Sequence, residues 1–76
     1  MDKDLLSEQI QIERKQFSFD LRENPRGRFL KVTEDVGGRR DTIIIPATGL
    51  DQVREVITRA IKADKDAGPC EIDNAG

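Results

Sequence analysis

The sequence predicts an α+β domain, a four-stranded antiparallel sheet followed by one C-terminal helix. Apolar residues fall at every second position on both sides of Asn24-Pro25-Arg26-Gly27, a cluster of turn-formers, so this region reads as a β-hairpin. Gly37-Gly38 punctuates a second pair of strand-like runs. From Leu50 the apolar spacing lengthens from two to three and four, the period of a helix.

Met1 to Ser7 lacks sustained periodicity and is expected to be frayed and flexible. Ile10 and Ile12 occupy even positions, whereas Phe17, Phe19 and Leu21 occupy odd ones. A continuous strand cannot hold both sets on one face, so either a bulge or a tight turn must reset the phase between Glu13 and Gln16. A turn is the simpler device, and it separates a first strand, Glu8 to Glu13, from a second, Lys15 to Glu23. The third strand is expected from Gly27 to Asp35 and the fourth from Arg40 to Ile45, where Ile43-Ile44-Ile45 is β-branched and reads as buried on at least one side. Pro46 ends that strand. Thr48 is the expected N-cap of the helix, and Asp51 places an anion near the positive end of its dipole. Leu50, Val53, Val56, Ile57, Ala60 and Ile61 form a broad apolar stripe over a helix reaching Ala63. The domain is thus 8–63, and the polar, acidic stretch 64–76 is expected to be disordered.

Alternation also sorts side chains between faces. Phe17, Phe19 and Leu21 share one face with Leu30 and Val32, while Ser18, Asp20, Arg22, Phe29, Lys31 and Thr33 share the other. A slip of one residue would exchange Phe29 and Leu30. An aromatic ring among cations on a solvent-facing sheet supplies what single-stranded nucleic acid requires, a plane for a base and positive charge for phosphates.

Composition narrows the chemistry. The chain has 76 residues, a net charge of −2, no histidine and one cysteine, Cys70. No intrachain disulfide is available, and the commonest general base and metal ligand is missing. Ser18 and Thr42 have no histidine to activate them, and Gly37-Gly38 lacks the Lys-Ser/Thr of a phosphate-binding loop. Glu34-Asp35 with Asp41 is a carboxylate cluster of the kind that usually faces solvent rather than a metal. The chain is therefore not expected to be an enzyme, nor to use a cofactor, a metal or a small-molecule substrate. No apolar run approaches the roughly 20 residues of a membrane span, and Met1-Asp2-Lys3-Asp4 does not begin a signal peptide. A cytoplasmic protein, nucleoid-associated if it meets DNA there, is the expectation. Charge is unevenly spread: from Arg14 to Arg40 there are eight Lys/Arg against four Asp/Glu, and acids gather towards both ends. Such patches, rather than totals, set the local field.

The stretch Phe17-Ser18-Phe19-Asp20-Leu21-Arg22-Glu23-Asn24-Pro25-Arg26-Gly27-Arg28-Phe29-Leu30-Lys31 resembles the repeat of purine-rich-element-binding (PUR) proteins, an aromatic-rich strand, a Lys/Arg-x-Asn-x-Lys/Arg-Gly-Arg-Phe turn and a second strand. The likeness runs from about Glu8 to about Lys62. It implies a ββββα unit, two such units interlocked, and binding to single-stranded DNA or RNA. The length of the chain suggests a one-repeat bacterial relative. By the same resemblance Arg22, Asn24, Arg26 and Phe29 match nucleic-acid-contacting positions, with Arg28 and Lys31 adjoining them. Where family repeats often carry Gln-Asn-Lys or Gln-Ser-Lys, this chain has Glu13-Arg14-Lys15. Phosphate attraction at Arg14 and Lys15 is retained, and the base readout of that motif is not expected. Pro25 also departs from the usual turn residue, although it suits a turn.

A single helix can cover only one face of a four-stranded sheet, and a unit of this size leaves apolar surface over. Two copies related by a twofold axis, each laying its helix across the other's sheet, would close both half-cores. A monomeric ββββα domain is the alternative. Two functions follow: a dimeric single-stranded nucleic-acid-binding protein, with gene regulation as one use of such binding, or a protein-interaction or dimerisation module of the same fold. Phe29 and its cations favour the first, and net acidity the second.

Overall fold

Two-residue turns at Glu13-Arg14, Pro25-Arg26 and Gly37-Gly38 fold the chain into a meander, since Ile12 pairs with Lys15, Asn24 with Gly27 and Val36 with Arg39. The computed structural model describes residues 2–69. Its strands are β1 (Lys3–Ile12), β2 (Lys15–Asn24), β3 (Gly27–Val36) and β4 (Arg39–Pro46), antiparallel in the order β1-β2-β3-β4. A 3-10 turn, Ala47–Gly49, leads into the helix α1 (Leu50–Ala67). The ββββα order agrees with the sequence expectation.

Each turn has a local cause. Gly37 and Gly38 take φ of 60° and 90°, conformations that side chains bearing a Cβ rarely adopt, and the Asp35 carboxylate accepts the Gly38 N–H at 3.0 Å. Asn24 Oδ1 accepts the Arg26 N–H at 2.9 Å, which closes the second turn as an Asx-turn. In the first turn Glu13 holds a φ of 55°, and Gln11 Nε2 donates to its carbonyl at 3.0 Å. This turn performs the phase reset: Ile10 pairs with Phe17, so even positions of β1 and odd positions of β2 share a face.

The start of β1 and both ends of α1 differ from expectation. β1 starts at Lys3, well before Glu8, because the hairpin ladder continues to the end of β2, with Lys3 opposite Glu23 and Asp4 opposite Arg22. A bulge between Asp4 and Leu6 interrupts alternation there, which is why the segment shows no period in the sequence. Thr48 does not cap the helix: it lies within the 3-10 turn, Gly49 is the N-cap residue, and no side chain bonds to that end. The helix also runs past Ala63 to Ala67, supported by the Lys62–Asp66 pair at 2.7 Å, and ends at Gly68, φ 77°. Of the expected tail, Cys70 to Gly76 lies outside the described residues.

Register assembles the sheet into rows that alternate between faces. Leu6-Leu21-Leu30-Ile45 and Glu8-Phe19-Val32-Ile43 cross one face, and Ile10, Ile12 and Phe17 extend it. The other face carries Asp4-Arg22-Phe29-Pro46, Ser7-Asp20-Lys31-Ile44, Gln9-Ser18-Thr33-Thr42 and Gln11-Gln16-Asp35-Arg40. Neither face is covered: among the described residues no side chain is fully buried, and Ile43, Val56, Ile57 and Ile61 are each more than half exposed. The radius of gyration is 15.0 Å, against about 11 Å for a compact chain of this length. The sheet and the projecting helix leave their apolar surfaces open.

Candidate nucleic-acid interface

The β2–β3 hairpin places Arg22 directly opposite Phe29, and Phe29 directly opposite Pro46 of β4. Phe29 is half-buried on the polar face, one position removed from Leu30 on the apolar face. Lys31 follows it on the same face, between Asp20 and Ile44. Asn24 and Arg26 sit in the turn at the same end of the sheet. Asn24 Oδ1 accepts the Arg26 N–H, which leaves both amide N–H donors and the second lone pair of the oxygen to meet a ligand.

The remaining expected residues lie elsewhere. Lys15 and Arg28 project from the apolar face, where Lys15 Nζ meets Glu34 at 3.0 Å and Arg28 Nε donates to Glu23 at 2.6 Å. The Arg28 hydrogen bond and charge hold the exposed Glu23 carboxyl below the usual carboxylate range. Arg14 occupies the β1–β2 turn at the far end of the sheet. Seven strand positions separate Lys15 from Arg22, about 24 Å at ~3.4 Å per residue. The structure brings Arg22, Asn24, Arg26, Phe29 and Lys31 together and leaves Arg14 and Lys15 at the far end of the sheet, while Arg28 borders the Phe29 recess from a position of the apolar face.

The polar face is less basic than the sequence interval suggests. Arg22 is flanked by Asp4 at 3.0 Å and Asp2 at 3.7 Å, and Arg40 meets Asp35 at 3.1 Å. The close Arg22–Asp4 approach is an ion pair without an aligned hydrogen bond, since the shielded Nε has no acceptor in bonding geometry. Arg14, Arg26 and Lys31 have no carboxylate within ion-pair distance among the described residues. Across the same face runs a band of side-chain hydrogen bonds. Ser7 Oγ donates to Asp20 at 2.6 Å, Gln16 Nε2 donates to Gln9 at 3.0 Å, and the Thr33 and Thr42 hydroxyls stand 3.3 Å apart. Glu34 and Asp35 diverge to opposite faces, so they do not form a carboxylate pair.

A family profile described as PurA ssDNA and RNA-binding protein matches residues 1–74. The chain belongs to this family. It is 39% identical over 64 residues to Transcription factor Pur-alpha 1 of Arabidopsis thaliana, covering 84% of this chain and 22% of that protein. Over 55 residues it is 36% identical to Transcriptional activator plp-1 of Caenorhabditis elegans, covering 68% of this chain and 24% of that one. The chain therefore spans about a quarter of the length of these curated relatives. They are named for transcription rather than catalysis, in keeping with the expectation of a non-enzymatic protein.

Within this PurA-family frame, register adds residues that sequence reasoning left out. Pro46 and Ile44 come onto the polar face beside Phe29 and Lys31, and Asp2 and Asp4 arrive against Arg22. Ile44 was legible only as one of three isoleucines. Its face is fixed by pairing with Lys31, which no local pattern reveals.

Proposed function

We propose that this PurA-family protein is a homodimer that binds single-stranded DNA or RNA on the polar face of its sheet. Each α1 crosses the partner's apolar face. The dimensions support this: the stripe from Leu50 to Ile61 is about 17 Å long at ~1.5 Å per residue, and the apolar rows from Leu6 to Ile12 extend about 20 Å. Surface area points the same way. The chain exposes 6576 Å², whereas a globular monomer of 8.6 kDa exposes about 4,700 Å².

The observation that carries the nucleic-acid reading is the row Arg22-Phe29-Pro46, a ring set between a cation and an apolar neighbour on the face the helix would leave open. Arg26 and Lys31 reach phosphates, Phe29 stacks on a base, and the Asn24 amide donates to a base edge. A role in gene regulation follows from that binding if the chain acts as its relatives' names describe.

A second reading, an interaction module without nucleic acid, draws support from Asp20 and Asp35 on the same face. Anisotropy with labelled single-stranded and duplex oligonucleotides at low salt, together with sedimentation at micromolar concentration, decides between them. A dimer that prefers single strands is expected. A dimer indifferent to every oligonucleotide would favour the interaction module, and a well-folded monomer would overturn the interlocked assembly.

A further inference from the structure

Besides Phe29, two apolar side chains interrupt the polar face, and both come from β4. Ile44 is 54% exposed there, opposite Lys31, and Pro46 stands opposite Phe29. Apart from Phe29, the rest of the face is built from Ser, Thr, Gln, Asp, Arg and Lys, so the two residues add an isolated apolar step at one end of an edge strand. Phe29, Ile44 and Pro46 line one recess of about 270 Å³, and Asn24, Arg26, Gly27 and Arg28 at the turn border it.

We propose that this recess is a single-base site, in which one unpaired nucleobase lies against Phe29 and is held at its edge by Ile44 and Pro46. The proposal rests on the single-strand reading above and adds β4 to the site. Three features favour a nucleobase as occupant. The recess is smaller than the roughly 300–1,000 Å³ of sites for drug-sized molecules, which suits one flat heterocycle. Its walls are an aromatic ring and two apolar side chains, which favour stacking over hydrogen-bond readout. Its border carries Arg26, a cation without a carboxylate partner among the described residues, where the phosphate next to an inserted base would lie. A base within a duplex has both faces stacked, so only an unpaired one can enter. Preference for single strands is then a property of the recess.

The site is testable because the chain contains no tryptophan or tyrosine. Phe29→Trp would install a lone fluorophore in the recess wall. Addition of an oligothymidylate should quench it, and inorganic polyphosphate at matched charge should not. Equal quenching by both would overturn a base-filled recess. Ile44→Thr keeps a β-branched side chain on the solvent face and should leave the thermal midpoint unchanged. It should weaken oligothymidylate binding about 3- to 10-fold and preserve the parent salt slope. In a Phe29→Ala background its effect should shrink, because both residues hold the same base. Should Ile44→Thr bind as tightly as the parent while Phe29→Ala binds weakly, the ring is used and the recess is not, and the single-strand reading survives without this site. Absence of parental binding to any single strand would instead remove the reading on which the proposal rests.

Discussion

Asp4 Oδ1 stands 3.0 Å from Arg22 Nε, so the start of β1 sets a carboxylate against the cation that faces Phe29 across the β2–β3 ladder. Asp2 adds a second carboxylate 3.7 Å from the same guanidinium. Any phosphate bound at Arg22 must compete with these internal anions. The pair is partly exposed, so its own contribution to folding is small.

Removing that competition should strengthen binding. The double variant Asp2→Asn, Asp4→Asn is expected to bind single strands several-fold more tightly at low salt. Its log-affinity against log-salt slope should steepen by about 0.7, the increment of one added phosphate contact on a single strand. An unchanged slope would show that Asp2 and Asp4 do not keep a phosphate from Arg22.

The faces sort the cations into two groups with different expected behaviour. Arg26→Ala and Lys31→Ala should each flatten the salt slope by about 0.7. Lys15→Ala and Arg28→Ala remove cations that project from the apolar face and pair with Glu34 and Glu23, so they should leave it unchanged. Slopes that flatten equally in all four variants would mean that nucleic acid does not distinguish the faces.

Phe29 and Phe19 make a matched pair, one ring per face. Phe29→Ala should retain the parent circular dichroism and thermal midpoint while losing roughly 5- to 100-fold in single-strand affinity, as expected when a stacked base is released. Phe19→Ala should cost about 3–5 kcal/mol of stability once the apolar face is closed in a dimer. Thermal melts and anisotropy on both variants check this, and the reverse pattern would exchange the faces.

The Glu23–Arg28 pair predicts a modest acid sensitivity. Because the folded carboxyl is lowered by Arg28, its stabilisation is complete above the unfolded value of about 4.3 and is lost as pH falls from there through the lowered one. Glu23→Gln should therefore show a flatter dependence of melting temperature on pH in that acidic window, and little change at neutral pH. Parallel curves for the two proteins would remove the pair from the account.

The strands and turns were legible wherever sequence neighbours decide them. Phe17, Phe19 and Leu21 alternate against Leu30 and Val32 because one face must be apolar, and Gly37-Gly38 marks a turn because its dihedrals exclude most other residues. The opposed phases of Ile10 and Phe17 require a reset between Glu13 and Gln16, and of the bulge and the turn that could make it the structure uses the turn at Glu13-Arg14. Lys3 to Ser7 escaped because a bulge erases the period, and because its pairing is dictated by the length of β2. The location of the candidate site was partly legible for the same reason. Arg22 and Phe29 belong to one hairpin, and alternation puts them together. The Arg22–Asp4 contact and the arrival of Pro46 beside Phe29 depend on register across β1 and β4, which local pattern does not specify.

The three two-residue turns have a kinetic consequence. Every strand pairs with its neighbour in sequence, so the meander can zip from its hairpins at low contact order, with little loop-closure entropy opposing it. A ribbon formed this way has no inner layer of its own. In the interlocked assembly, unimolecular zippering would be fast and bimolecular closure would set the pace, and by mass action the melting temperature would climb with protein concentration. How much folded protein exists would then depend on how much chain is present.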